Sequence, residues 1–583
     1  MKSKTGKIAL ITIFLLLITG SSINCQAQTQ TRIVKLSGGT DWGYPGPFSF
    51  YSRGPGYYKM ALIFDTLVER NETGYMPWLA ESWETSGDGL TWTFHLRDDV
   101  KWNDGESFTA DDVVFTFRYY QQNPFGWADL SIIDSVEKIN DHAVAFTTSE
   151  PVAPFISRSI ISQQIIPQHI WEGVEDPLTF HEAEPEKAVV GTGPYMLIDY
   201  DGAAGTYLFR ENPDYWYGDP AVDEIQFNPV SAPTSLEAFI AGEVSTCNCD
   251  ADSISLLPEQ DNYVIVKTPA FWGYKLYFNP VERPELASKE MRQAFAYAID
   301  RQDIVDRLGL GLGLSGNPGY LTKSHAWYNP DVPQYDQDSA MAESLIEGLG
   351  YVKGGDGYYA LDRETLSFTL LTGTGTYLSV AEEIKDDLEA VGVKVTINSV
   401  ESKSKDSLIK ECDYELAING HGGWGGDPDR LRTLFNDFAG APSAFGIGGF
   451  DLPEEFNELL QDQLVETDET ARKEMVYRIQ EMIAEELPVL PIWNTQSYFV
   501  YNSDVHDGWY FPFDHHVATH PKLSYIWGTV ETEAEEPTGT DDSEPAEERD
   551  TTNDDGWISG FPYEALILGV LTATVFIVFH KRA

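Results

Sequence analysis

Residues 79–119 read LAESWETSGDGLTWTFHLRDDVKWNDGESFTADDVVFTFRY. Gly87-Asp88-Gly89 is a turn whose glycines can take positive φ, and after it Leu90, Trp92, Phe94 and Leu96 alternate with Thr91, Thr93, His95 and Arg97. That period of two predicts a half-buried strand with one apolar face. Asn103-Asp104-Gly105 makes the next turn. Thr109 then stands three residues before Asp112, a pattern in which hydroxyl and carboxylate satisfy the free N–H groups of a helix start. Val113, Val114, Phe117 and Tyr120 supply that helix with an apolar face. The carboxylates of the stretch sit at turns and at a helix start, so it reads as architecture and not as catalysis.

The order S-W-E, a D-G turn, T-F-H-L-R, K-W-N-D-G and F-T-A-D-D-V-V-F resembles the signature of the peptide/nickel (family 5, cluster C) extracellular solute-binding proteins, receptors of ATP-driven importers. The pattern returns as G-T-G-P-Y from Gly191, N-P-D-Y-W from Asn212, A-G-E-V from Ala241, and M-R-Q-A-F-A-Y-A-I-D-R within a periodic helix predicted over Lys289–Leu308. The resemblance implies an α/β, two-lobed fold of the periplasmic-binding-protein type (type II, cluster C) with an extra subdomain, its lobes joined by two crossing segments. Residues 33–75, 186–284 and 491–530 are expected to form lobe I, 76–185 the extra subdomain of lobe I, and 285–490 lobe II.

A chain of 583 residues is past the size at which one core stops growing. Its 92 acidic against 39 basic residues give a formal charge of −53, a surface that repels nucleic acid and suits a secreted protein. Lys2, Lys4 and Lys7 precede an apolar run, Ile8–Ile18, as in a secretory signal over residues 1–27, with a lipid-anchored Cys25 as the competing reading. Residues 531–556 hold twelve carboxylates and no apolar stretch, which predicts a disordered acidic stalk. Residues 557–579 are apolar apart from Glu564 and stop at His580-Lys581-Arg582, as a C-terminal transmembrane anchor over 557–580 with its basic end inside would. The arrangement resembles archaeal surface receptors, and implies a monomer on the outer face of the cell membrane that serves an ABC permease.

Several stretches invite chemistry. Residues 43–57 are dense in glycine, proline and aromatic side chains, with Arg53 and Tyr57 as ligand candidates, and Lys59–Val68 looks helical. Asn71-Glu72-Thr73 is an N-glycosylation acceptor. Cys247-Asn248-Cys249 lacks the spacing of a zinc knuckle, and a disulfide between residues two apart would be strained; structural thiols, with Cys412 able to pair with one of them, are expected. Gly311, Gly313 and Gly316 satisfy G-x-G-x-x-G by letter, but they leave a helix and enter a loop, the wrong context for a dinucleotide. Leu366–Leu371, Val380–Ala390 and Val393–Val400 alternate strand, helix and strand. The strand Tyr414–Asn419 leads into His421-Gly422-Gly423-Trp424-Gly425-Gly426-Asp427-Pro428-Asp429, where glycines leave backbone amides open beside a flat indole. Phe271, Trp272 and Tyr274 head another aromatic strand, and residues 498–527 are expected to finish the fold with aromatic strands.

In relatives the strand and loop around residue 420 line the ligand cleft. The resemblance therefore implies ligand contacts from His421, Gly422, Gly423, Trp424 and Asp427; Phe271, Trp272 and Tyr274 of the aromatic strand are further candidates, as are Tyr57 and Arg53 of a loop whose aromatic residues either pack on themselves or face a ligand. Peptide-binding relatives hold the ligand as an added strand and place an aspartate four residues before the loop proline; here that position is Trp424. A peptide is the expected ligand, with an oligosaccharide stacked on aromatic faces, or nickel or a metal chelate at His421, as alternatives. No cofactor and no catalysis are expected. The reading from another class, a secreted hydrolase, finds neither H-E-x-x-H nor G-x-S-x-G in the chain.

Overall fold

Thr109 starts the helix Ala110–Gln122: its hydroxyl accepts from Asp111 N–H at 3.3 Å while the Asp112 carboxylate accepts from Thr109 N–H at 2.9 Å. Buried Val113 and Phe117 face the strands Ser135–Asn140 and Ala143–Thr147. Those strands continue an antiparallel sheet with Thr91–Leu96 and Ala80–Thr85, in which Phe94 and Leu96 point inward and Trp92 stacks on Phe155. The computed structural model describes residues 31–526 except 39, 52–53, 72–73, 127, 232–233, 271, 423–425, 436–446 and 512–518. The chain separates into units at Val530/Glu531, and the expected signal, stalk and membrane span lie outside the described residues. Among the described residues no helix is long and apolar enough to cross a membrane.

Three of the sequence motifs meet in one place. Gly191 and Gly193 lie flat against the chain at Leu62–Ile63, where an added Cβ would sit 2.1 Å from Ile63 O at Gly191 and 2.6 Å from Leu62 O at Gly193. Only glycine permits that approach. Gly191 O accepts from Asn103 N–H of K-W-N-D-G at 3.0 Å, and Gly193 O accepts from the Asn212 side chain of N-P-D-Y-W at 3.1 Å. Beneath them Asp65, fully buried, accepts from Trp78 Nε1 at 2.7 Å, Thr192 Oγ1 at 2.9 Å and Trp216 Nε1 at 3.2 Å, and pairs with Lys522 at 2.9 Å. A carboxylate so far from water is tolerable because each lone pair is satisfied.

These bonds also explain where the helix expected at Lys59–Val68 goes. The helix is Gly54–Ala61, and Leu62 and Ile63 then give their carbonyls to Tyr195 and Gly193 instead of to a helical turn, before the strand Val68–Asn71. Likewise the helix expected at Lys289–Leu308 is two, Lys289–Ala298 and Arg301–Leu308, because Asp300 caps the second through Asp303 N–H at 2.9 Å. Of residues 498–527 only Tyr498–Asn502 is a strand within the described part; Trp509, Tyr510 and Tyr525 are buried from loops and the short helix Leu523–Ile526.

The fold is α/β and has two lobes, each with its own core. One core gathers Val34–Phe227 and returns with Phe499–Tyr525; the other runs from Leu276 to Trp493. The second is built on a six-stranded mixed sheet in the order Leu314–Ser315, Val489–Thr495, Trp272–Phe278, Leu416–Gly422, Ser367–Thr372, Lys394–Ser399. Its last three strands include the parallel crossover Ser367–Thr372, helix Thr376–Ala390, Lys394–Ser399. Tyr263–Lys267 pairs with Tyr498–Asn502 in a smaller sheet, and their continuations, Trp272–Phe278 and Val489–Thr495, pair again in the large one. Between the two sheets the crossing connections hold one another: Thr268 N–H donates to Ser497 O at 2.8 Å, and Ser497 N–H to Thr268 Oγ1 at 3.0 Å. Two short, mutually bonded links between separate cores form a hinge in the mechanical sense.

Candidate functional site

The strand Leu416–Gly422 ends where the second core approaches the first, and its period of two sorts the sequence candidates onto opposite faces. Trp272 pairs with Gly422 and Tyr274 with Gly420; Gly273, between them, pairs with His421. On one face Trp272 and Tyr377 converge over Gly420, where a Cβ would lie 2.8 Å from both Trp272 Nε1 and Tyr377 Oη. Tyr274 stands edge-on to Tyr377 at 5.0 Å and beside Trp493 at 5.6 Å, and the Lys405 ammonium lies 3.9 Å from the Tyr377 ring centre. The result is a half-buried aromatic wall with a glycine floor.

His421 faces the other way. Its Nε2 is 2.7 Å from Tyr320 Oη, and its carbonyl accepts from the buried Lys275 ammonium at 3.3 Å. Lys275 also donates to Gly273 O at 3.0 Å and lies 5.4 Å from the Tyr320 ring centre. Burial, and next the Arg430 guanidinium, lower the Lys275 pKa to about 7. Burial, then Lys275 and Arg430, hold the His421 pKa well below its ordinary value, so the imidazole is neutral at physiological pH. A lysine that titrates near neutrality, the Arg430 guanidinium and a neutral imidazole thus underlie the start of the glycine-rich loop.

Asp427 is held in a two-point ion pair with Arg472, at 2.7 and 2.9 Å. Two residues on, buried Asp429 pairs with Arg432 at 2.7 Å and accepts from Gln463 at 3.0 Å. Across the seam Arg158, in the turn Ile156–Ile160 of the first lobe, lies 3.6 Å from Asp429 while also pairing with Asp129 of its own lobe. Ala153 N–H donates to Leu464 O at 2.8 Å nearby. Arg70 reaches the same seam: a Cβ on Gly426 would meet its Nη1 at 2.8 Å, and burial followed by Arg70 pushes the His325 pKa down to about 4. The two cores are therefore stitched by charge along the seam as well as through the crossing strands.

Of the other sequence candidates, Tyr57 is buried edge-on to Phe50 and lines, with Gln164, a cavity of about 10 Å³, room for one water. Arg53, Phe271, Gly423 and Trp424 lie outside the described residues, as do Glu72 and Thr73 of the glycosylation acceptor. Cys247 and Cys249 are thiols in contact with one another, and neither is bridged to Cys412. Among the described residues no group of three or more histidines, cysteines and carboxylates is placed to hold a metal ion. Sequence reasoning missed Lys275, Tyr320, Tyr377, Arg70 and Arg158. Lys275 alone carried a signal, a charge in the middle of the aromatic run Trp272–Phe278.

Comparison with known proteins bears on this geometry directly. The family described as "Bacterial extracellular solute-binding proteins, family 5 Middle" matches residues 74–442. The chain is 26% identical over 464 residues to a dipeptide-binding protein of Escherichia coli, spanning 74% of this chain and 83% of that one. It is 29% identical over 533 residues to di/tripeptide-binding protein 3 of Pseudomonas aeruginosa, at 85% and 95% coverage. Among solved structures, the oligopeptide-binding protein AppA of Bacillus subtilis, in complex with a nonapeptide, superposes with a TM-score of 0.70 at 21% identity, over 85% of this chain and 97% of that one. NikA of Brucella suis, in complex with Fe(III)-EDTA, superposes with a TM-score of 0.73 at 22% identity, over 84% and 98%. The periplasmic-binding-protein-like fold is shared with both.

Proposed function

We propose that this chain, which belongs to family 5 of the bacterial extracellular solute-binding proteins, is the receptor of an ABC importer and captures a peptide-like solute between its lobes. The observation that carries the reading is the pair of mutually bonded links at Thr268 and Ser497, beside the strand that ends at Gly422. Rotation about the links opens and closes the seam; a ligand that touches both lobes selects the closed form for presentation to a permease. The dipeptide- and di/tripeptide-binding relatives support a peptide as the solute. A peptide laid as an added strand needs open backbone donors and acceptors, which a glycine-rich run supplies with little side-chain selectivity. His421, Gly422, Gly423 and Trp424 are the proposed contacts from that run, with Trp272 and Tyr274 on the aromatic wall. The receptor binds without turnover.

Residues 1–27 act as the secretory signal, and the apolar run 557–580 anchors the receptor outside the membrane through the acidic stalk 531–556. Removal of residues 557–583 should release the protein into the medium.

A thermal-shift screen of the full chain tests the ligand class, because a solute that binds only the folded form raises its melting temperature. Met-Leu, trialanine and a nonapeptide form one arm, cello-oligosaccharides a second and Ni(L-His) a third. Peptides should shift the melt and be recovered intact by mass spectrometry. A shift confined to the sugars or the chelate would reject the peptide, and cleaved peptide would reject the receptor. Trp424→Ala should abolish the peptide shift while leaving the ligand-free melt unchanged.

A further inference from the structure

Cys247 and Cys249 lie in Thr246–Cys249, an outer strand of the three-stranded sheet that includes Tyr498–Asn502. Side chains two apart in a strand share a face, and both sulfurs turn into a small apolar cluster with Leu236, Phe239, Val244 and Val500. The two Sγ atoms are 3.4 Å apart, in hydrogen-bonding contact. Strand geometry sets the Cα atoms about 6.6 Å apart, at the upper end of the roughly 4.4–6.8 Å that a disulfide accepts. The pair can close with a local shortening of the pleat.

The sulfurs are unequal partners. The Cys247 thiol, bonded to its neighbour, lowers the Cys249 pKa, against the opposing effects of burial, Asp250 and Glu237; the same bond, and next burial, raise the Cys247 pKa. With Cys249 as the thiol that reacts first, Cys247 Sγ lies 3.4 Å away, placed to resolve whatever forms on it.

We propose that Cys247 and Cys249 form a reversible dithiol–disulfide couple, a redox modification site oxidised by a small peroxide and reduced by a dithiol. The Cys249 thiolate attacks one peroxide oxygen; an S–O bond forms, the O–O bond breaks, and the departing hydroxide takes a proton to become water. Cys247 sulfur then attacks Cys249 sulfur; an S–S bond forms, the S–O bond breaks, and the second hydroxide leaves as water with the Cys247 proton. Two thiols are oxidised and one peroxide is reduced to two waters.

The position gives the couple a consequence. Cys249 is paired with Tyr498, the residue after Ser497, which is bonded to Thr268 where the chain crosses between lobes. Shortening the Cys247–Cys249 pleat pulls on the strand from which that link emerges.

The test uses the full chain, either reduced with dithiothreitol or treated with hydrogen peroxide, then alkylated in denaturant and mapped by mass spectrometry. The peptide containing residues 247–249 should lose about 2 Da, resist alkylation and recover both thiols on reduction. Full alkylation after peroxide, or sulfinic and sulfonic acids without a link, would overturn the proposal. Cys247→Ser should leave Cys249 over-oxidised under the same treatment; unaltered Cys249 in that variant would remove it as the nucleophile. Amides of Thr246–Cys249 and Tyr498–Asn502 should exchange with solvent at least threefold faster in the disulfide form, and equal rates would refute the effect on the crossing strand.

Discussion

Arg158→Gln should loosen the closed seam without unfolding either lobe. The Arg158 side chain is 10% exposed and that of Asp429 4%, and they approach to 3.6 Å. At an effective dielectric constant of about 20, two unit charges at that distance attract by about 5 kcal/mol. Much of this is returned when the pair is removed, because water solvates the seam and Asp429 keeps Arg432 and Gln463 as partners. A net loss of about 1.5–3 kcal/mol remains, roughly a ten- to hundredfold rise in the open population. The Ala153 amide reports that population, since its acceptor, Leu464 O, belongs to a helix of the second lobe. Its hydrogen exchange should accelerate by that factor at low ionic strength. The Ile165 amide, bonded to Asp65 O within the first lobe, should keep its rate. An unchanged Ala153 rate would refute the claim that this bridge holds the lobes together, and acceleration of both amides would show a folding defect instead.

Lys59 is buried among the Tyr207 and Phe227 rings, and burial lowers its pKa from 10.5 to about 7. The unfolded chain binds the extra proton between those two values, so the penalty of charging this lysine is full below pH 7 and fades as pH rises towards 10.5. Lys59→Met should stabilise the protein by about 3 kcal/mol at pH 6, after allowing about 2 kcal/mol for lost cation–π attraction, and by far less at pH 10. Chemical denaturation at both pH values checks this, and a pH-independent difference would reject it. Thr109→Ala removes half of a reciprocal cap and should cost about 1 kcal/mol in the same measurement. Gly191→Ala forces a Cβ to within 2.1 Å of a backbone oxygen and should cost about 3 kcal/mol or more, read as a lowered melting temperature or loss of folded yield.

Residues 79–119 announced their own structure because everything in them is local: a period of two, two glycine turns, and a hydroxyl three residues ahead of a carboxylate. The same holds for the crossover at 367–399. The resemblance carried by these motifs was enough to place the chain in its family. Boundaries failed where a distant partner competed with the local pattern, as when Gly193 and Tyr195 of G-T-G-P-Y took the carbonyls that a helix through residue 63 would have used. The charged seam and the buried Lys275–Tyr320–His421 group were decided by tertiary structure alone. Which cation ends up buried, and at what pKa, depends on the register between Trp272–Phe278 and Leu416–Gly422 and on what packs over them. Periodicity specifies which face of a strand is apolar; the field at a buried charge is a sum over neighbours that are distant in sequence, and only the folded arrangement supplies it.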